Sequence, residues 1–181
     1  MIFEKFQVFP KDKYVIILTM FGLTIVLLIY ILIFIPIEAL VSTYGILDYE
    51  FAWTPERVQT IFSAWGTEGM NNQALAIYWD FLYIIGYVSL AVGLILIILR
   101  RSDNKMRTVG LYFTLVPFLT GIFDLIENIN LLLMLNNPTS ITIINSLTAS
   151  VCALIKFSLL FAAITYFVVA LIIIIVHKFS K

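Results

Sequence analysis

Four long apolar runs alternate with short polar segments along this chain, and that alternation predicts four membrane-crossing helices. The runs cover about residues 14–41, 74–99, 108–135 and 147–176. Each exceeds the roughly 20 residues needed to span the hydrocarbon core. The first run is too long for a signal-peptide core, and no small-residue cleavage site closes it. It therefore reads as an uncleaved span.

The connections carry their own pattern. Between the first two runs, about Ser42 to Gln73, the chain is too long for a simple turn. Thr54-Pro55-Glu56 resembles a helix start, with Thr54 as N-cap and Pro55 in the first helical position. Val58, Ile61, Phe62 and Trp65 recur at helical spacing, and Gly66 or Gly69 ends the segment. The spacing predicts a short amphipathic helix over about 55–65, lying in the outer interface with Trp53 and Trp65. An ordered loop packed on the helix ends is the competing reading. Asn136-Asn137-Pro138-Thr139-Ser140 is a turn signal between the last two runs.

Composition supports the membrane assignment: 62% of the 181 residues are hydrophobic and 12% are charged, with a mean hydropathy of +1.05. The chain is a single integral membrane domain, with no room for a soluble domain of normal size. The net charge of zero gives no sign of nucleic-acid binding. The basic residues are nevertheless sorted. Lys5, Lys11, Lys13, Arg100, Arg101, Lys105, Arg107, Lys178 and Lys181 fall on one side, which is nine of the eleven Lys and Arg residues. The positive-inside rule places both termini in the cytoplasm of a multi-pass cell-membrane protein. The single cysteine, Cys152, cannot form an internal disulfide.

Against this background the polar residues inside the spans stand out, because each is costly near the bilayer centre. Counting about 1.5 Å per residue from the cytoplasmic ends puts Asp80, Glu127 and Lys156 about 30 Å up and Asp124 about 25 Å up. Asp80, Asp124, Glu127, Asn128 and Lys156 thus share one level in the outer third, with Glu38 above them. Asp124, Glu127 and Asn128 lie on one face of the third helix at i, i+3 and i+4. Asp80, Tyr83 and Tyr87 share a face of the second at i, i+3 and i+7, with Gln73 one double turn before Asp80. On the fourth, Lys156 shares a face with Ala149, Cys152 and Ala153, whose small side chains permit close approach of a neighbour. Pro117 and Gly121 permit a bend or close packing in the third helix.

Three carboxylates against one ammonium leave a formal excess of two negative charges, so such a site should hold a proton, bind a cation or admit water. No H-E-x-x-H, paired histidines, C-x-x-C, G-x-S-x-G or phosphate-cradling glycine loop occurs. Asp80, Asp124, Glu127 and Asn128 offer oxygen ligands to a hard cation, but nothing in the spacing fixes a geometry. We therefore assign no metal and no cofactor.

The run Trp65-Gly66-x-x-Gly69, Asp80-Phe followed by Tyr87, Pro117, and Asp124-Leu-x-Glu127-Asn128 resembles small prokaryotic four-helix membrane proteins with a D-L-x-E-N third helix. The resemblance covers about Trp65 to Leu135. It implies a four-helix fold and a membrane location, and carries no activity with it. A more distant architectural similarity is to the emopamil-binding and sigma-2 receptor group, whose membrane-embedded acids surround a sterol-like ligand. This chain lacks an in-membrane histidine matching those isomerases.

The expected architecture is an all-α four-helix transmembrane bundle with a mixed acidic and aromatic pocket toward the outer leaflet. Its leading function is binding of a lipid-like or cationic amphiphilic small molecule, with proton transfer as the chemistry the acids allow. Asp124 and Glu127 would be the catalytic or proton-carrying pair; Asp80, Tyr83, Tyr87, Asn128 and Lys156 would bind the ligand. The alternative is a non-catalytic subunit or assembly factor whose polar cluster only locks the bundle. Membrane lipids are the expected surroundings, and a membrane-protein partner or a second copy the expected associates. Ion conduction is disfavoured, because Leu90–Leu99 and Ala162–Val176 are nearly unbroken apolar runs.

Overall fold

The computed structural model describes residues 9–40, 43–102 and 104–179. Lys5 and Lys181 of the basic set, and Val41 and Ser42 at the end of the first run, lie outside them. Four helices are long and apolar enough to cross a membrane. The helices are α1 (Asp12–Glu38), α2 (Ile46–Glu50), α3 (Pro55–Arg101), α4 (Asn104–Phe113), α5 (Val116–Asn136) and α6 (Ile143–Phe179). α3 packs against α1 on one side and α5 on the other, and α6 packs on α5 and α3.

Three of these helices depart from regular geometry where the sequence requires it. In α1 the segment Tyr30–Phe34 is π-helical, and the Ile35 N–H bonds the Tyr30 carbonyl five residues back. Pro36 follows at once. Proline has no N–H and crowds the preceding turn, and the widened turn accommodates it. The third apolar run is not one helix but two, α4 and α5, interrupted at Thr114 and Leu115. Pro117 is the reason, since it cannot donate to the carbonyl of Phe113. Thr114 Oγ1 instead donates to the Leu111 carbonyl at 2.6 Å.

The third departure divides α3. Thr54 Oγ1 accepts the Arg57 N–H at 3.3 Å and Pro55 opens the helix. Gly66 then has φ 61° and ψ −173°, a conformation essentially restricted to glycine. The kink separates the predicted short helix from the long one that follows. The apolar face of that short helix is buried against protein: Val58, Ile61 and Phe62 pack with Tyr49, Leu131, Met134 and Ala149.

Close approach between α1 and α3 depends on glycine. A Cβ at Gly22 would strike the Leu90 backbone, and one at Gly86 would come within 2.7 Å of Ile25. Beyond that contact, at the end where α3 reaches Arg100, an apolar cluster of Val15, Ile95, Leu99, Tyr166 and Ala170 fills the bundle. Arg100 itself reaches Asp12 at 2.5 Å, tying the α3 end to the start of α1.

Candidate functional site

At the opposite end of the bundle from that cluster, Lys156 on α6 gathers carboxylates from two other elements. Its Nζ lies 2.8 Å from Glu127 Oε2 and 3.0 Å from Asp124 Oδ1, both on α5. The third carboxylate is Glu50 on α2, whose Oε1 is 3.4 Å away. Lys156 and Glu50 are each 8% exposed and Glu127 is fully buried. Lys156 reaches them because Ala149, Cys152 and Ala153 on its face are buried and small, which lets α5 approach. The ammonium occupies the place a bound cation would take. Among the described residues, no group of three or more His, Cys, Asp or Glu residues is arranged to hold a metal ion.

Two hydrogen bonds extend the cluster to α3. Tyr87 Oη donates to Asp124 Oδ2 at 2.8 Å, so Asp124 is held on both oxygens. Asn128 Nδ2 donates to Asp80 Oδ2 at 2.6 Å. Tyr83 stacks edge-on between Phe34 of the π-helical segment and Tyr87, with ring centroids 5.0 and 5.9 Å apart. The five residues expected at one depth, Asp80, Asp124, Glu127, Asn128 and Lys156, do meet. Glu38 is not among the carboxylates on Lys156; it is exposed, close to Gly45, and lines the neighbouring cavity together with Asp80 and Asn128.

Glu50 is the member that the sequence reading missed. It sits in the connection after the first span, where a charge is ordinarily solvated. The available signal was its setting, an acid among Tyr49, Phe51, Ala52 and Trp53. The connection is tied down at several points. Tyr49 Oη donates to the Leu131 carbonyl at 2.7 Å, and Ser150 Oγ donates to the Glu50 carbonyl at 2.8 Å. Trp53, with an unusual φ of 62°, donates its N–H to Ser150 Oγ at 3.0 Å. Trp65 Nε1 donates to the Tyr44 carbonyl at 2.7 Å. Burial pushes the Glu50 carboxyl above the usual carboxylate range; the Lys156 ammonium opposes this and the Asp124 carboxylate adds to it.

Glu50, Asp124 and Glu127 face the Lys156 ammonium, and Asp80, bonded to Asn128, adds a fourth carboxylate beside them. If all were ionised the cluster would carry a formal excess of three negative charges, one more than expected from the spans alone. Neighbouring acids in such a setting share protons, because each ionisation raises the cost of the next.

Beside the cluster lies a cavity of about 490 Å³. Its walls come from the C-terminal part of α1, including Tyr30, Phe34, Ile37 and Glu38, from α2, and from the face of α3 carrying Gln73, Ala76, Ile77 and Asp80. Glu50 and Asn128 are shared between the cavity and the ionic cluster. Of the predicted ligand-binding residues, Asp80 and Asn128 line it, while Tyr83, Tyr87 and Lys156 stand behind in the cluster. Asp124 and Glu127 are also behind this wall, engaged with Lys156. The cavity is thus largely apolar with a few acids and amides, the make-up of a small-molecule site. Compared with known protein families, with curated proteins and with solved structures, the chain matches none.

Proposed function

We propose that this protein is a multi-pass membrane protein that binds a lipid-like or cationic amphiphilic molecule in the cavity between α1, α2 and α3. The observation that carries the reading is the cavity itself: apolar and aromatic walls adjoining Glu50 and Asp80, at a volume typical of small-ligand sites. Apolar walls suit a hydrocarbon chain, and the acids suit a cationic head. The aromatic rings of Tyr30 and Phe34 offer further attraction to a cation. The clustering of basic residues supports cytoplasmic termini and a cavity toward the outer leaflet. The short helix before Gly66 then lies at the outer surface. Proton exchange at Asp124 and Glu127, relayed through Glu50, is the chemistry open to this site.

Native mass spectrometry of gently extracted protein tests the reading. Wild type should carry a bound small amphiphile, and Ala76→Trp, which fills the cavity, should lose it while remaining folded. A wild-type protein that neither retains nor takes up an amphiphile overturns the proposal.

One observation favours a second reading. Lys156 ties α2, α5 and α6 together through buried charges, as a lock for a non-catalytic subunit or assembly factor would. A second polypeptide copurifying at fixed stoichiometry, with the cavity empty, supports that reading instead.

A further inference from the structure

Two buried polar groups in the cavity wall lack partners. Gln73 is 1% exposed, lines the cavity, and its Nε2 has no hydrogen-bond partner among the described residues. Glu50, also in the wall, has its Oε1 toward Lys156 while Oε2 has no such partner. Buried donors and acceptors are almost always met, and an unmet one next to a cavity marks where a bound group would supply the missing half. One of these groups is a donor and the other an acceptor.

We infer that the molecule in this cavity has a head carrying both a protonated amine and an oxygen acceptor, as in a long-chain amino alcohol. Glu50, whose Oε2 is unmet, holds the amine, the Asp80 carboxylate adds negative charge to the same cavity, and the Gln73 amide holds the oxygen. The inference rests on the amphiphile-binding reading above and deepens it. Gln73 and Asp80 are seven residues apart on α3, about 10 Å along the axis. Ala76 and Ile77 lie between them in the wall, and Glu50 faces the cavity from α2. Simpler heads leave part of the site unmet. A plain alkylamine answers the carboxylates and leaves the Gln73 amide bare. A quaternary ammonium has no N–H to give Glu50. A fatty acid can accept from Gln73 but brings an anion to three acids, Glu38, Glu50 and Asp80. Gln73 is therefore the residue that sets head-group specificity.

The test measures affinities of dodecylamine, its dodecyl amino-alcohol counterpart and dodecyltrimethylammonium for the full-length protein in nanodiscs, with Ala76→Trp as the blank. The amino alcohol should bind about two- to tenfold more tightly than dodecylamine, the range expected for one hydrogen bond, and the quaternary ammonium weakest. Gln73→Met should erase the margin between the two amines. Equal affinity of wild type for amine and amino alcohol overturns the inference even if Gln73→Met does not fold. A margin that survives in a folded Gln73→Met also overturns it. If no probe binds above the blank, the underlying reading fails as well.

Discussion

Lys156 on the last helix and Glu50 in the first long connection lie 3.4 Å apart, although 106 positions separate them in sequence. The contact makes the α2 connection part of the ionic cluster, and several measurable consequences follow from it and its surroundings.

Removing the ammonium should be the most damaging single change in the cluster. Lys156→Met leaves Asp124, Glu127 and Glu50 without their shared cation, and loss of one partner of a buried pair typically costs about 3–5 kcal/mol. Thermal unfolding in detergent should show a large drop in Tm. Adding Glu127→Gln should recover part of it, since the fully buried carboxylate is then neutral. Strict additivity of the two changes would disprove their coupling.

The docking of α2 should weaken as pH rises. The buried Glu50 carboxyl has a raised pKa in the folded protein, so the folded state binds its proton more tightly than the unfolded chain does. The contribution is therefore greatest at low pH. It declines as pH climbs from the unfolded glutamate value of about 4.3 through the raised folded value. Hydrogen exchange over residues 44–54 should be slower at pH 5 than at pH 8 after correction for intrinsic rates. Glu50→Gln should reduce that difference. Lys156, Asp124 and Glu127 surround Glu50, so the variant comparison is what isolates it.

Tyr49→Phe removes one hydroxyl, which donates to the Leu131 carbonyl inside the bundle. The expected cost is about 1 kcal/mol. Faster exchange should appear in the α2 connection, with little change in α6. A uniform effect across all helices would contradict a local role.

Two nearby glycines should respond to alanine for different reasons. At Gly66 a Cβ meets nothing within 4 Å, yet φ is +61°. Gly66→Ala should therefore cost about 1–3 kcal/mol through backbone strain alone. At Gly69 the added Cβ would lie 2.8 Å from Trp65 Cβ. Its penalty should fall in Trp65→Gly/Gly69→Ala, where the opposing Cβ is gone, whereas that of Gly66→Ala should persist beside Trp65→Gly. Tm values of wild type, the three single variants and the two double variants decide this.

The four apolar helices were legible because hydropathy and length alone identify them. The meeting of Asp80, Asp124 and Lys156 was legible because antiparallel spans convert residue counts into depths. Counting could not anticipate chain that leaves the spans and returns. Glu50 re-enters through Tyr49, Ser150 and Trp53 contacts, which have no periodic signature. Pro117 was recognisable as a bend, but its outcome as two separate helices depends on Thr114 closing the last turn of α4. The predicted short helix began at Thr54 and ended at Gly66, as its cap and glycine signals imply. The partners of its apolar face could come only from the tertiary arrangement.

The apolar cluster around Leu99 and Tyr166 fills the bundle at the end away from the cavity and stands as an apolar barrier to a charged head. Under the proposed function, binding and release would preserve which leaflet the amphiphile belongs to. The protein could hold, shield or present such a molecule on one side without ever changing its sidedness.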